Sequence, residues 1–282
     1  MSENAFKLEK DKEGLSSLSP GEFLDAVDKA GGFLPVPTEV AHLSPESRAV
    51  IHTEPRSIGA DRFRLLLIRL RAIQASKGIK SIVVTSPIPG DGKSTVALNL
   101  ATGLSEDGKR PVLLLEADVH RPVAIKNLGL DPWPGLTERF KNNSDPMLAI
   151  RRIDPLGFYL LPAGHPDEDC SDLLQTDFAS QLVRRVSSNF DWIVIDSPPT
   201  TPIADVLALK AQADATLLVV RAGNTPREAI EEAIQNLGRE HILGIVINGI
   251  PNLDRTYSSY YGYGSSYARR GPKKNPVQRL GL

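Results

Sequence analysis

Residues 81–95 read SIVVTSPIPGDGKST. The β-branched run Ile82-Val83-Val84-Thr85 predicts a buried strand, and the pattern STVALNLATGLSEDGK that starts at Ser94 predicts a helix. A strand, a glycine-bearing loop and a helix in that order make a phosphate-binding loop. Gly90 and Gly92 let backbone amides converge, Lys93 reaches the outer phosphates of a nucleotide, and Ser94 can ligate Mg²⁺ at the helix N-terminus. The usual pattern GxxxxGK[ST] has glycine where this chain has Pro87, so Pro87 and Pro89 stiffen the approach to the loop.

The text on either side repeats the scheme. IKSIVVTS, RPVLLLEAD, GFYLLPAG, FDWIVIDSPP, ADATLLVVRAG and ILGIVINGI are short, continuously apolar runs, as strands covered on both faces require. Between them lie helical stretches, SDLLQTDFASQLVRRVSSN, PIADVLALKAQ and TPREAIEEAIQNLGRE. The expected architecture is a doubly wound α/β domain with a mostly parallel sheet over residues 54–250. Ahead of it, ADRFRLLLIRLRAIQASKG predicts an amphipathic helix, with Phe63, Leu66, Leu67, Leu70 and Ile73 on one face and Gly78 as its stop. Residues 1–53 are rich in Ser, Pro, Glu and Lys; they read as mostly flexible, with one short helix capped by Ser19.

A magnesium nucleotide needs carboxylates at the carboxyl ends of neighbouring strands, where the crevice of such a sheet opens. VLLLEAD supplies Glu116 and Asp118, which alternate across one residue and so are expected to point the same way. WIVIDSPP ends in Asp196. Three acids at two strand ends, in a chain with a phosphate loop, read as metal ligands or a base. His120 and His165 read as solvated or packing residues, Trp133, Trp192 and Tyr159 as core, and Asp205 as either a helix-start acid or a site residue.

Composition narrows the partners. A net charge of -1 over 282 residues predicts no general affinity for polyanions, hence no nucleic-acid partner. The last thirty residues are nevertheless basic, carrying Arg255, Arg269, Arg270, Lys273, Lys274 and Arg279 against Asp254, a tail whose charge suits nucleic acid, an anionic membrane surface or an acidic face of a neighbouring subunit. Cys170 is the single cysteine and has no CxxC or Cys/His pattern around it. No apolar run reaches the ~18 residues of a membrane span, and MSENAFKLEKDKEG lacks the apolar core of a signal peptide, so a cytoplasmic chain is expected. In residues 251–282, Tyr257, Tyr260, Tyr261, Tyr263 and Tyr267 stand among glycines and serines with no aliphatic neighbour. Such a segment buries too little to fold, and reads either as an adhesive tail or as a substrate.

SPIPGDGKST, VLLLEADVHRP and DWIVIDSPP resemble the Walker A, A′ and B segments of the bacterial tyrosine kinases of capsule and exopolysaccharide export, and the terminal tyrosine cluster accompanies them in that family. The resemblance runs from about Glu54 to the C-terminus and implies a P-loop NTPase of the deviant Walker type. By that resemblance, Pro89, Gly90, Asp91, Gly92, Lys93, Ser94 and Thr95 hold ATP, and Asn248 reaches the base. Ser94, Asp118 and Asp196 bind Mg²⁺, with Glu116 or Asp118 deprotonating an incoming tyrosine. Tyr257, Tyr260, Tyr261, Tyr263 and Tyr267 become phosphoacceptors for a neighbouring subunit of a homo-oligomer. The resemblance further implies activation by a membrane chain-length-regulator protein at the inner face of the cytoplasmic membrane, and resetting by a tyrosine phosphatase. Two departures stand out: Glu116 replaces an aspartate, and Leu67 stands where the family's pre-strand helix carries its second arginine after Asp61 and Arg64. A positioning ATPase of the same superfamily is the nearest alternative, although Ile88 replaces its signature lysine. A catalytically weak nucleotide-binding regulator is the other.

Overall fold

The structure, a computed structural model, describes residues 36–166, 177–201 and 204–251. The expected helix at Ser19, Cys170 and the five tail tyrosines lie outside the described residues. Among the described residues, eight strands form one sheet: β1 (Thr38–Val40), β2 (Ser81–Thr85), β3 (Val112–Glu116), β4 (Arg151–Asp154), β5 (Phe158–Leu161), β6 (Trp192–Asp196), β7 (Ala215–Arg221) and β8 (Ile242–Asn248). Their order is β1-β4-β5-β3-β6-β2-β7-β8, and every pair is parallel except β4 with β5. This is the doubly wound sheet that the apolar runs predict, with the phosphate-loop strand β2 between β6 and β7.

The helices are α1 (Val50–Thr53), α2 (Ile58–Lys77), α3 (Lys93–Leu104), α4 (Ala124–Asn127), α5 (Leu136–Lys141), α6 (Asp177–Val186), α7 (Ala204–Gln212) and α8 (Arg227–Leu237). Alternate strand residues feed opposite faces, as the two-residue period of a strand demands. Ile82, Val84, Leu114 and Val194 pack with Leu67 and Leu70 of α2 and with Val96 and Leu100 of α3. Val83, Leu113, Leu115 and Ile193 pack with Leu182 and Val186 of α6 and with Leu209 of α7. Full burial of such side chains contributes about 1.5–3 kcal/mol each, so the central strands hold their carboxyl ends in fixed register.

α2 begins at Ser57, whose hydroxyl accepts from the Ala60 amide at 3.1 Å, and stops at Gly78, left-handed at φ 71. Its expected inner face is in place, while Leu65 and Ile68 are exposed. Leu67 is buried in the core, so the position where the family has an arginine offers no surface charge; Asp61 and Arg64 pair with each other at 2.6 Å.

Two expectations change. Residues 36–53, placed in the flexible N-terminal region, hold β1, a 3-10 turn and α1; β1 pairs with β4, and the His42 amide donates to the Leu128 carbonyl at 2.8 Å. Short strands at the sheet margin carry no apolar run, so composition alone does not reveal them. The run ILGIVINGI was expected to be covered on both faces, but β8 is the sheet edge and exposes Ile245 and Ile247. Among the described residues, no helix is long and apolar enough to cross a membrane.

Candidate active site

The loop from Ser86 to Gly92 is built as the sequence predicts. Gly90 and Gly92 have φ of 89 and 98, a left-handed backbone that favours glycine, and Gly92 caps α3. A β-carbon on Gly92 would overlap the Asn248 side-chain amide, whereas one on Gly90 would meet only open space. The loop is anchored from the neighbouring strands. Asn248, at the end of β8, donates its amide to the Asp91 carbonyl at 2.9 Å, and Arg221, at the end of β7, donates to the Gly90 carbonyl at 3.2 Å. The buried Asp91 carboxylate accepts from the Thr225 hydroxyl at 2.7 Å. Asn248, expected at a base edge, thus supports the loop backbone, and Asp91 is one of its anchors.

Three acids converge below the loop. Lys93 Nζ lies 2.7 Å from Asp118 Oδ2, and Asp118 Oδ1 accepts from the Arg121 amide at 3.1 Å. Burial alone would lower the Lys93 ammonium, but the negative charges of Asp196, Asp118 and Glu116 hold it raised. Asp196 is buried on β6, and burial pushes its carboxyl up to about 7 against the pull of Lys93 and a hydrogen bond from Ser94. Its Oδ1 has no hydrogen-bond partner. A buried, unpartnered carboxylate oxygen next to a hydroxyl at a helix N-terminus suits a hard divalent cation. Among the described residues, no group of three or more His, Cys, Asp or Glu could cage a metal unaided. Magnesium bound by Ser94, Asp196 and Asp118 would therefore take further oxygens from phosphate and water.

Glu116 does something else. Its Oε1 accepts from the amides of Val123 at 2.6 Å and Ala124 at 2.7 Å, and its Oε2 accepts from the Ala163 amide at 3.1 Å. The carboxylate therefore ties the start of α4 to the turn after β5. Burial pushes its carboxyl up, opposed by those three amides. β3 ends at Glu116, so strand alternation does not reach Asp118; Glu116 lines a small pocket with Ser94 and Asp196, and Asp118 lines the cleft itself.

The cleft above these acids has a volume of about 540 Å³, within the range of small-molecule sites. Gly90, Lys93, Ser94 and Thr95 line it from the loop, and Asp118, His120 and Arg121 from the opposite rim. His120 Nε2 lies 3.2 Å from Asp205 Oδ2, which brings Asp205 to the cleft as well. His165 lies elsewhere, paired with Glu138 at 2.6 Å. Arg48 also lines the cleft, from the segment whose composition reads as flexible, and sequence reasoning missed it.

With that geometry in view, residues 78–249 match the ParA family, described as NUBPL iron-transfer P-loop NTPase. The chain belongs to this family of P-loop NTPases. Its relatives include proteins named as bacterial tyrosine-protein kinases. The tyrosine-protein kinase YwqD of Bacillus subtilis (strain 168) is 27% identical over 227 residues, which cover 80% of this chain and 95% of the relative. The succinoglycan biosynthesis transport protein ExoP of Rhizobium meliloti (strain 1021) is 29% identical over 207 residues; these cover 72% of this chain, and the match spans 26% of the relative. Among solved structures, the BceF tyrosine kinase domain superposes with a TM-score of 0.65 at 26% identity, covering 81% of this chain and 88% of that one. The P-loop family member thus matches nearly the whole of one kinase and about a quarter of a longer transport protein.

Proposed function

We propose that this P-loop protein is a tyrosine autokinase that transfers the γ phosphate of MgATP to the tyrosines of its own C-terminal segment, presented by a neighbouring copy. The observation that carries the reading is the Lys93–Asp118 pair at 2.7 Å beneath a glycine loop, beside the unpartnered Asp196 oxygen. Amides from Gly90 to Thr95 cradle the phosphates, and Lys93 neutralises the outer ones. Magnesium, held by Ser94 and Asp196 with Asp118 helping to bind or orient it, would offset the charge on the β and γ phosphates.

With Glu116 engaged by three amides, Asp118 is the acid of the A′ pair that faces the cleft. The acceptor oxygen of the tyrosine forms a bond to the γ phosphorus while the β,γ-bridging oxygen leaves with ADP, and Asp118 takes the hydroxyl proton. Tyr257, Tyr260, Tyr261, Tyr263 and Tyr267 are the acceptors; their glycine and serine neighbours form a tether that reaches another subunit at little steric cost. Each added phosphate brings about -1.5 to -2 of charge at neutral pH, so the cluster acts as a graded switch on the homo-oligomer. The kinase name of YwqD supports the activity. The name of ExoP supports a link to polysaccharide biosynthesis and transport; activation by a membrane protein at the inner face of the membrane is part of the same proposal. A phosphatase acting on the cluster would reset the cycle.

Mass spectrometry after incubation with MgATP, with a candidate activator fragment present, tests the reading. Phosphate on residues 257–267 of the wild type, lost in Lys93→Met and in a variant with all five tail tyrosines changed to Phe, is the expected result. The family description, a P-loop NTPase, favours one second reading, an ATPase that passes no phosphate to tyrosine. ATP hydrolysis with no tyrosine phosphate would establish that reading and overturn the first.

A further inference from the structure

Ahead of α2, the chain crosses the outside of the phosphate-loop helix before it enters the core. Ser47 and Ala49 are buried there, while Arg48 between them is exposed and has a left-handed backbone, φ 53. A residue with a side chain adopts that conformation at a cost, and glycine would adopt it freely. The surroundings impose it. Asn99, fully buried on α3, accepts from the Ile51 amide at 3.0 Å and donates to the Arg48 carbonyl at 2.8 Å. The same amide donates to the Thr95 carbonyl at 2.8 Å, so one side chain bolts the segment to the first turn of the helix that ends the phosphate loop.

All three contacts of Asn99 are with backbone atoms, so they would hold any residue type at position 48. The arginine side chain is not needed for the clamp, and Arg48 is one of the residues lining the cleft, with Lys93, Ser94, Thr95 and Arg121. Asp118 and Asp196 already place two buried carboxyl groups under that cleft, with Lys93 between them. A polyphosphate adds several more negative charges, and a planar guanidinium suits phosphate oxygens.

We infer that Arg48 is a phosphate-binding residue, carried to the nucleotide by the N-terminal segment and positioned by Asn99. The inference rests on the cleft being a nucleotide site.

Calorimetric titration of MgADP and MgAMP-PNP into the full chain tests it, using wild type, Lys93→Met, Arg48→Ala and Arg48→Gly. Glycine at φ 53 relieves the backbone, so Arg48→Gly is expected to unfold at the wild-type temperature or above it. It is nevertheless expected to bind nucleotide about ten-fold more weakly, the loss of one charge-assisted contact, as is Arg48→Ala. A loss confined to MgAMP-PNP would put the guanidinium on the γ phosphate, and a loss shared with MgADP would put it on the inner phosphates. Affinities of both Arg48 variants within about two-fold of wild type, whatever their unfolding temperatures, would overturn the inference while leaving nucleotide binding intact. A wild-type chain that bound neither nucleotide would overturn the nucleotide reading itself.

Discussion

Glu116 and Asp118 stand two residues apart at the end of one strand, and their surroundings assign them opposite work. Three backbone amides hold Glu116, and the parts it joins are structural: the start of α4 and the turn after β5. Asp118 lies against Lys93 and opens to the cleft. A methylene separates glutamate from the aspartate that the kinase pattern has here, and it lets the carboxylate reach amides beyond the strand end. A carboxylate that is one part of a scaffold should cost stability when lost; one that faces substrate should cost rate.

The contrast breaks most visibly at Lys93 and Asp118. Lys93→Met and Asp118→Asn should each lower tyrosine phosphorylation by about 10²–10³-fold, the usual size for a lost charge at a transition state. The urea unfolding midpoint of Asp118→Asn should stay close to wild type, whereas that of Lys93→Met should fall, since it leaves the buried Asp118 and Asp196 carboxyls without their balancing ammonium. Next in size is Glu116→Ala, which leaves three amide donors unpaired, one of them buried and two half-buried. A loss of about 3 kcal/mol in unfolding free energy is expected, read from urea titrations, with activity reduced only as far as the loop loosens. Glu116→Gln sharpens the comparison further: its carbonyl oxygen can still accept two amides, so about 1–2 kcal/mol should go and most of the rate should remain. A Gln variant of normal stability that was as inactive as Asp118→Asn would show Glu116 to be the base.

How much of this could be read beforehand follows from how local each feature is. The strand, loop and helix of residues 81–104 are specified by neighbours in sequence, and the structure places them as expected. β4, with the text RRID, and β1, with TEV, are specified by their pairing across the sheet, and neither contains an apolar run. The amide partners of Glu116 were not legible, because Val123, Ala124 and Ala163 reach it from beyond the strand. For Arg48 the one trace in the text was its partner: Asn99 is a polar residue inside the apolar pattern VALNLATGL, and a buried amide needs hydrogen-bonding partners.

The smallest effect concerns a third acid, which resembles Glu116 in its partners and differs in burial. Glu138, on α5, accepts from the amides of Gly135 at 2.7 Å and His165 at 2.9 Å, and from the His165 ring at 2.6 Å. Burial alone would raise its carboxyl, but these donors outweigh it and hold it at about 2, below the ordinary 4.5. A carboxyl lowered in the folded state stabilises the fold fully above its unfolded value, and that contribution fades as pH falls from about 4.5 toward about 2. Because the site is partly exposed, solvent screening should keep the effect under about 1 kcal/mol. Urea unfolding of wild type and Glu138→Gln should therefore differ most near neutral pH and converge in acid. Since Glu138 and Glu116 secure opposite ends of the turn from Ala163 to His165, the variant should leave the rate at neutral pH near wild type if that turn is scaffold. A stability difference that stayed constant through the acid range would mean that the His165 and Gly135 contacts do not favour the ionised carboxylate.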